Sequence, residues 1–394
     1  MKYNNAIWLL IFTSFFLPAC SRKDILPADV GEPVPYTPDA TRRWQEIMND
    51  AEFSLFKTAY QRSVVDSRVQ ATNAAFHTIF MPTNIALENA GWTADKINTA
   101  TPEVLDSMLA YYIVIGRYTR ENIEVPMPKS FPLNTLLIDP TLSGANTSTP
   151  YVYKLYVSTW EDSLMINGKT VAPLDRSEDA LNGQVYKIDK FVSRPTLSLI
   201  EYIQSQPRFS MLLEAINASV PHYTYPADYN NPEWVARMTN VVQARPTLFL
   251  PTNAAFARSG FNTVEDIEKF IERSLPVAAP YYDENLFYRY PYTSMDSLLR
   301  PHGFSVLPGN SIYDNIYFYK DLIKNPAALT GFILQPGVPS QEGPITVETS
   351  FKVENNRVMV AGYLSRAAYQ PIVEADIECL NGIIHVVDDF IMEP

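Results

Sequence analysis

Hydrophobic positions recur along the chain in two rhythms. Over residues 41–60, Trp44, Ile47, Met48, Ala51, Leu55 and Phe56 return every three or four residues, a stripe that predicts a helix. Thr101 stands as an N-cap before Pro102-Glu103, and Val104, Leu105, Met108 and Leu109 carry a second helix towards Gly116. Thr263 opens a third helix through Val264, Ile267, Phe270 and Ile271, with Asp266 placed to close a capping box. Elsewhere the apolar runs are short or alternate with period two, which predicts strands, and Asn167-Gly168 and Asn355-Asn356 are two-residue hairpin signals. Glu374, Asp376 and Glu378 alternate with Val373, Ala375 and Ile377 and read as the solvated face of one strand. Helices early in each half, followed by hairpins, predict an α+β fold rather than alternating βα units.

The chain also repeats itself. "HTIFMPTNIALENAGW" at 77–92 pairs with "PTLFLPTNAAFARSGF" at 246–261, "INGKTV" at 166–171 with "ENNRVMV" at 354–360, and "LNGQVYKIDKFV" at 181–192 with "LNGIIHVVDDFI" at 380–391. Three matches in one order indicate a tandem duplication, with domains over 41–193 and 194–394. The repeated boxes carry structural chemistry. Pro82 and Pro251 end a strand by removing a ladder donor. Asn84 and Asn253, after Thr83 and Thr252, can tie strand end to helix start through local backbone bonds. Asn182-Gly183 and Asn381-Gly382 supply the positive φ of a tight reversal, and Asp189 and Asp388 are placed to accept hydrogen bonds in that corner.

These blocks resemble the fasciclin (FAS1) domain, whose signature is an apolar strand running into Pro-Thr-Asn-x-Ala-Phe near the start and Asn-Gly-x-x-His-x-x-Asp at the end. The opening box is present as Phe80-Met81-Pro82-Thr83-Asn84 and as Leu250-Pro251-Thr252-Asn253-Ala254-Ala255-Phe256. The closing box is complete from Asn381 to Asp388 with His385, and has Tyr186 at the histidine position in the first repeat. The family's middle motif, a Tyr-His pair ending a helix, reads Tyr111-Tyr112 in the first repeat, and no copy is legible in the second. The resemblance implies two tandem domains, each a β-sandwich or wedge with packed helices, and a non-enzymatic role in adhesion or extracellular binding.

The first twenty residues predict export and anchoring. Lys2 precedes an apolar run from Ile7 to Leu17, too short to span a bilayer that needs about 20 helical residues, so residues 1–19 read as a signal peptide. Leu17-Pro18-Ala19-Cys20 resembles a bacterial lipobox, which implies cleavage before Cys20 and its acylation. Ser21 after it leaves out the aspartate of inner-membrane retention, which favours the outer membrane, and Lys23-Asp24 loosely resembles the short acidic tag that sends some lipoproteins to the cell surface. Residues 20–40 carry Pro27, Pro33, Pro35 and Pro38 and read as an extended tether. With Cys20 acylated, Cys379 has no disulfide partner.

Composition narrows the chemistry. Among 394 residues, 31 Lys+Arg against 43 Asp+Glu give a net charge of -12, which argues against a nucleic-acid partner. Four histidines (77, 222, 302 and 385) show no metal-ligand spacing, and no nucleophile elbow or phosphate loop occurs, so neither a metal, a cofactor nor a catalytic residue is expected. Asp106-Ser107-Met108, Asp162-Ser163-Leu164 and Asp296-Ser297-Leu298 share a pattern similar to a bacterial O-glycosylation site.

One departure points to binding. The stretch from Pro251 to Leu380 is 30 residues longer than that from Pro82 to Leu181, and the excess falls in an aromatic-rich insertion around 275–345. Tyr281, Tyr282, Tyr288, Tyr290, Tyr292, Tyr313, Tyr317 and Tyr319 are candidates there for contact with a protein or a glycan, with core packing as the other use of these rings. Two functions fit. One is a membrane-anchored surface lipoprotein for adhesion or extracellular protein or glycan binding. The other is an accessory subunit of an outer-membrane uptake complex, docked beside a barrel transporter and its lipoprotein lid.

Overall fold

The computed structural model describes residues 40–125, 129–142, 150–222, 244–273, 281–282, 288–289, 293–304, 313–314, 316–324, 349–362 and 368–391. Cys20, the tether, Tyr290, Tyr292 and most of the 275–345 insertion lie outside these residues. The fold is α+β, with one large sheet in each half and helices packed against it.

In the first half, β1 (His77–Pro82) runs antiparallel to β2 (Ile113–Ile115) and parallel to β8 (Gly183–Ile188), placing it inside an eight-stranded sheet. All six residues of β1 are buried, as expected of an apolar run covered on both faces. The sheet continues through β3 (Phe131–Asp139), β4 (Tyr151–Trp160), β5 (Ser163–Ile166) and β6 (Lys169–Pro173), with β7 (Ser177–Ala180) on the far edge beside β8. It curls, so that the Asp189 amide just after β8 donates to Val171 O of β6 at 2.9 Å. The β5–β6 hairpin turns on Asn167 (φ 50) and Gly168 (φ 74), the double positive φ that Asn-Gly accommodates.

The helical stripe over 41–60 is broken. Helix α1 (Trp44–Ile47) is followed by a 3-10 turn at Ala51–Phe53 and then by α2 (Ser54–Arg62). Asp50 has extended backbone, and its carboxylate is held by Arg42 at 2.7 Å. Trp44, Ile47, Met48, Leu55 and Phe56 still face the core, because the interruption falls in the polar Asn49-Asp50 pair, whereas Ala51, at the start of the 3-10 turn, is exposed. Helices α3 (Val65–Ala71), α4 (Asn84–Asn89), α5 (Ala94–Thr99) and α6 (Pro102–Ala110) complete the layer, with α7 (Arg120–Glu124) before β3. Thr101 occupies the N-cap of α6, but its hydroxyl bonds no helix amide and engages Glu103 instead.

The second half begins with α8 (Leu199–Ser205), capped by Ser198 and Glu201, and α9 (Ser210–Ser219). Strand β9 (Ala244–Arg245) precedes β10 (Thr247–Pro251), the counterpart of β1. Helix α10 (Asn253–Arg258) and α11 (Val264–Ile271) follow, and the expected capping box forms: Asp266 N donates to Thr263 Oγ1 at 3.2 Å and Thr263 N to Asp266 Oδ2 at 2.9 Å. Short strands β11 (Tyr281–Tyr282) and β12 (Tyr288–Arg289) pair with each other. Helix α12 (Ser294–Leu299) leads to β13 (Gly303–Phe304), β14 (Tyr313–Asp314) pairs with β9, and α13 (Tyr319–Lys324) follows. Strands β15 (Thr349–Glu354), β16 (Arg357–Gly362), β17 (Gln370–Cys379) and β18 (Gly382–Val387) complete a six-stranded sheet ordered β13-β10-β18-β17-β16-β15. The predicted hairpin at Asn355 (φ 51) and Asn356 (φ 59) joins β15 to β16.

The opening Pro-Thr-Asn box works over a longer range than a local turn. Asn84 Oδ1 accepts from Leu55 N at 2.9 Å, and Nδ2 donates to Ala51 O at 2.9 Å and to Ser54 Oγ at 3.0 Å. Asn253 repeats this on Met211 N at 3.0 Å, Pro207 O at 3.0 Å and Ser210 Oγ at 2.9 Å. Each asparagine therefore pins a preceding 3-10/helix junction rather than bonding its own neighbours. Pro82 and Pro251 are the last residues of their strands, where no ladder donor is needed.

Candidate binding site

The closing boxes superpose residue on residue. Asn182 Oδ1 accepts from Trp44 N at 3.1 Å, and Asn381 Oδ1 accepts from Leu199 N at 2.8 Å, so each holds the first helix of its half. The glycines do something other than turn the chain, for neither Gly183 nor Gly382 has positive φ. A Cβ on Gly183 would lie 1.9 Å from His77 O, and one on Gly382 would meet Leu199 Cδ1 at 2.6 Å and Pro246 O at 2.8 Å. Glycine is required there by close approach to the neighbouring parallel strand. Asp189 takes Arg176 at 2.5 Å and the Thr83 hydroxyl at 3.4 Å, and Asp388 takes the Thr252 hydroxyl at 3.4 Å.

Tyr186 and His385 occupy one position in the two sheets. Tyr186 stacks on Phe80 at 5.3 Å and donates to Tyr118 O at 2.9 Å. His385 stacks on Phe249 at 5.4 Å, donates from Nε2 to Tyr317 O at 2.9 Å and accepts at Nδ1 from Asp376 N at 3.3 Å. Both ring nitrogens are thus satisfied by a neutral imidazole, and burial lowers its pKa to about 4.

The middle motif does have a copy in the second half. The β1 register Ile79↔Ile113 corresponds to Leu248↔Gly303 of β10, which makes His302 the counterpart of Tyr112. The Tyr112 hydroxyl donates to Val192 O at 2.8 Å and accepts from Val192 N at 2.9 Å. His302 donates from Nδ1 to Phe249 O at 2.6 Å and accepts at Nε2 from Ile391 N at 3.3 Å. Pro301 stands before it where the first half has Tyr111, which hid the motif. The available signal was the Asp-Ser-apolar pattern: Asp106-Ser107-Met108 and Asp296-Ser297-Leu298 stand at matching places in α6 and α12. Both aspartates are buried. Asp106 is paired with Arg68 at 2.6 Å, and Asp296 accepts from the Thr293 hydroxyl at 2.6 Å.

This shared frame is filled differently in the two halves. In the second, Phe261 packs on Phe270 at 5.1 Å, Phe390 packs on Phe256 at 4.9 Å, and Ser294 Oγ donates to Phe270 O at 2.6 Å, closing α11 onto α12. In the first, Trp92 stands for Phe261, Leu87 for Phe256, Phe191 for Phe390 and Ala100 for Phe270. The smaller set leaves a groove of about 420 Å³ whose apolar lining includes Trp92, Val104, Met108, Tyr111, Tyr112 and Phe191, and whose polar lining is Glu103, Ser107, Ser193, Arg194 and Thr196. That volume lies in the ordinary range of small-ligand pockets.

A seam joins the halves within one compact unit. The Asn167-Gly168 turn inserts into it: Asn167 Nδ2 donates to Glu378 Oε2 at 2.8 Å and to the Tyr111 hydroxyl at 2.9 Å, and a Cβ on Gly168 would meet the Phe318 ring at 2.6 Å. Tyr156 packs on Phe318 at 5.5 Å beside Ile316 and Ile383. Tyr151 donates to Leu380 O at 2.5 Å, Arg245 to the Tyr156 hydroxyl at 3.0 Å, and Ser130 to Asp321 at 3.0 Å. Lys324 bonds Thr159 O.

Two expected surface features belong to this seam. Glu374 does face solvent, paired with Arg208, but register shifts along β17 and the positive φ of Asp376 (62) turn Asp376 and Glu378 inward. Asp376 Oδ1 accepts from Tyr319 N at 2.7 Å. Burial raises the Asp376 pKa to about 7 and that of Glu378 to about 8. Tyr317 and Tyr319, candidates either for outside contact or for core packing, are half-buried and engaged within the molecule. The Lys129 ammonium lies 5.2 Å from the Tyr317 ring centroid, and the Tyr319 hydroxyl accepts from Val358 N at 3.0 Å. Both rings pack on the cluster built around Phe249 and Phe351. The structure places Tyr281, Tyr282, Tyr288 and Tyr313 in short strands by their backbone alone.

Cys379 is buried, which pushes its thiol up to about 12. Among the described residues, no group of three His, Cys, Asp or Glu side chains is arranged to hold a metal ion, and no helix is long and apolar enough to cross a membrane.

Residues 51–194 match the model of the Fasciclin domain family. No curated protein matches the chain. Among solved structures, the FAS1 domain pair of the insect cell adhesion molecule fasciclin I is 16% identical over 86% of this chain and 96% of its own, with a TM-score of 0.33. At those values the likeness is a loose one.

Proposed function

We propose that this protein is a non-enzymatic surface lipoprotein, held at the outer membrane by acyl chains on Cys20, that mediates adhesion or extracellular binding. The observation that carries the reading is the open, apolar-floored groove lying in the same half that matches the fasciclin family, whose domains serve as adhesion and binding modules. An extended tether over 20–40 would hold this surface up to about 60 Å from the bilayer at roughly 3 Å per residue. Several acyl chains would make that anchoring stable where one would not.

The test is gentle detergent extraction of membranes carrying a tagged copy, with identification of what co-purifies. The reading expects the protein in the membrane fraction, its release by Cys20→Ser, and an external protein or glycan as its partner. Stoichiometric recovery with a barrel transporter and a lipoprotein lid would replace adhesion by the role of an uptake accessory.

A further inference from the structure

We propose that the first-half groove is a binding site for a small aromatic carboxylate, its ring among Trp92, Met108, Tyr112 and Phe191 and its carboxylate on Arg194. The inference rests on the binding reading above and supplies its ligand class. Three observations lead to it. The groove is walled by aromatic rings and Met108, and ring-on-ring contact in such a recess contributes beyond area burial alone. Arg194 lines the groove with no carboxylate partner among the described residues. It is held instead by the Tyr153 hydroxyl at 3.2 Å, with its guanidinium carbon 5.3 Å from that ring. A guanidinium so placed keeps donors free for a bidentate carboxylate. The third observation is the second half, where Phe270 and its contacts fill the equivalent space with the protein's own rings. The groove is thus an aromatic site with one ring missing.

The other groups of the lining set the limits. Glu103 is also there, but its charge is held by its own backbone amide and by Thr101, so the anionic end of a ligand belongs at Arg194. Ser107, Ser193 and Thr196 can add neutral hydrogen bonds. At about 420 Å³ the recess suits a small molecule, whereas a stable protein interface covers on the order of 800 Å² per partner. A polyanion would also be opposed by the net charge of -12, while a single carboxylate can pair at short range.

Calorimetric titration of the full chain in detergent with 2-naphthoate and its neutral amide, 2-naphthamide, tests this. The acid is expected to saturate one site and to bind about tenfold more tightly than the amide, as one charge-assisted contact provides. Arg194→Gln is expected to erase that tenfold difference and leave the amide unchanged. Val104→Trp, at a lining position 48% exposed, is expected to abolish binding of both with an unchanged circular dichroism spectrum. Ala100→Phe, the residue found in the second half, serves as an independent filling variant. Equal affinity for acid and amide, full binding after both filling variants, or no saturation at millimolar acid would each overturn the proposal. If naphthoate fails while the tagged protein still brings a partner out of the membrane, the ligand class falls and the binding reading stands.

Discussion

The two halves use the same brackets around different contents. In both, an asparagine after the opening strand pins the junction before it, a second asparagine holds the first helix, and a glycine lets two parallel strands approach. Tyr112 and His302, with different chemistry at the end of the α6 or α12 helix, accept from equivalent amides, Val192 N and Ile391 N, while each donates to a different carbonyl, Val192 O and Phe249 O. What differs is the filling between helices: a phenylalanine cluster in the second half and a groove in the first. A frame fixed by backbone and polar bonds can therefore vary its apolar contents without losing its shape, and the variation is where a binding function has room to arise.

Changes to the shared frame should cost most. Gly183→Ala is expected to destabilise by about 4 kcal/mol or more in urea unfolding, because its Cβ would meet backbone. Gly382→Ala should cost less, since its Cβ would meet backbone, the Pro246 carbonyl, at 2.8 Å rather than at 1.9 Å, and equal costs would break the stated distinction. Next in size, Phe270→Ala should cost about 2 kcal/mol and open a recess in the second half, which probe titration would detect as a second site. Asn84→Ala and Asn253→Ala should each cost about 1–2 kcal/mol, and their near equality would sharpen the equivalence of the halves.

The seam adds a pH dependence. Asp376 and Glu378 keep protons in the folded chain up to about 7 and 8, whereas ordinary carboxyls release them near 3.8 and 4.5. The folded state then binds more protons in that window, so stability falls as pH rises from about 4 to about 8. His302 and His385 act oppositely: they stay neutral in the fold down to about 4 but protonate near 6.5 when unfolded, so stability also falls as pH drops through that range. Thermal unfolding is expected to be most favourable to the fold at about pH 5, and Glu378→Gln should flatten only the alkaline limb.

Much of the frame was legible because it is local. Caps, hairpin asparagines and apolar runs act within a few residues, and Thr263–Asp266 and Asn355–Asn356 form as their spacing predicts. The misses are long-range. Asn84 reaches back to Ala51, Gly183 is fixed by contact with His77, and β17 reverses its facing through bulges that no alternation pattern records. His302 was hidden by Pro301 and is recognised only when the register of β10 is known. The groove was invisible for a related reason: it is made by what Ala100 and Leu87 lack, and an absence of volume shows only against the second half.

The most direct measurement is a crystal structure of the protein soaked with 2-naphthoate. The account predicts the ring between Trp92, Tyr112 and Phe191, its carboxylate on Arg194, and nothing at Phe261 and Phe270. Density for the ligand in the second half, or a first-half groove filled by the protein's own chain, would contradict it.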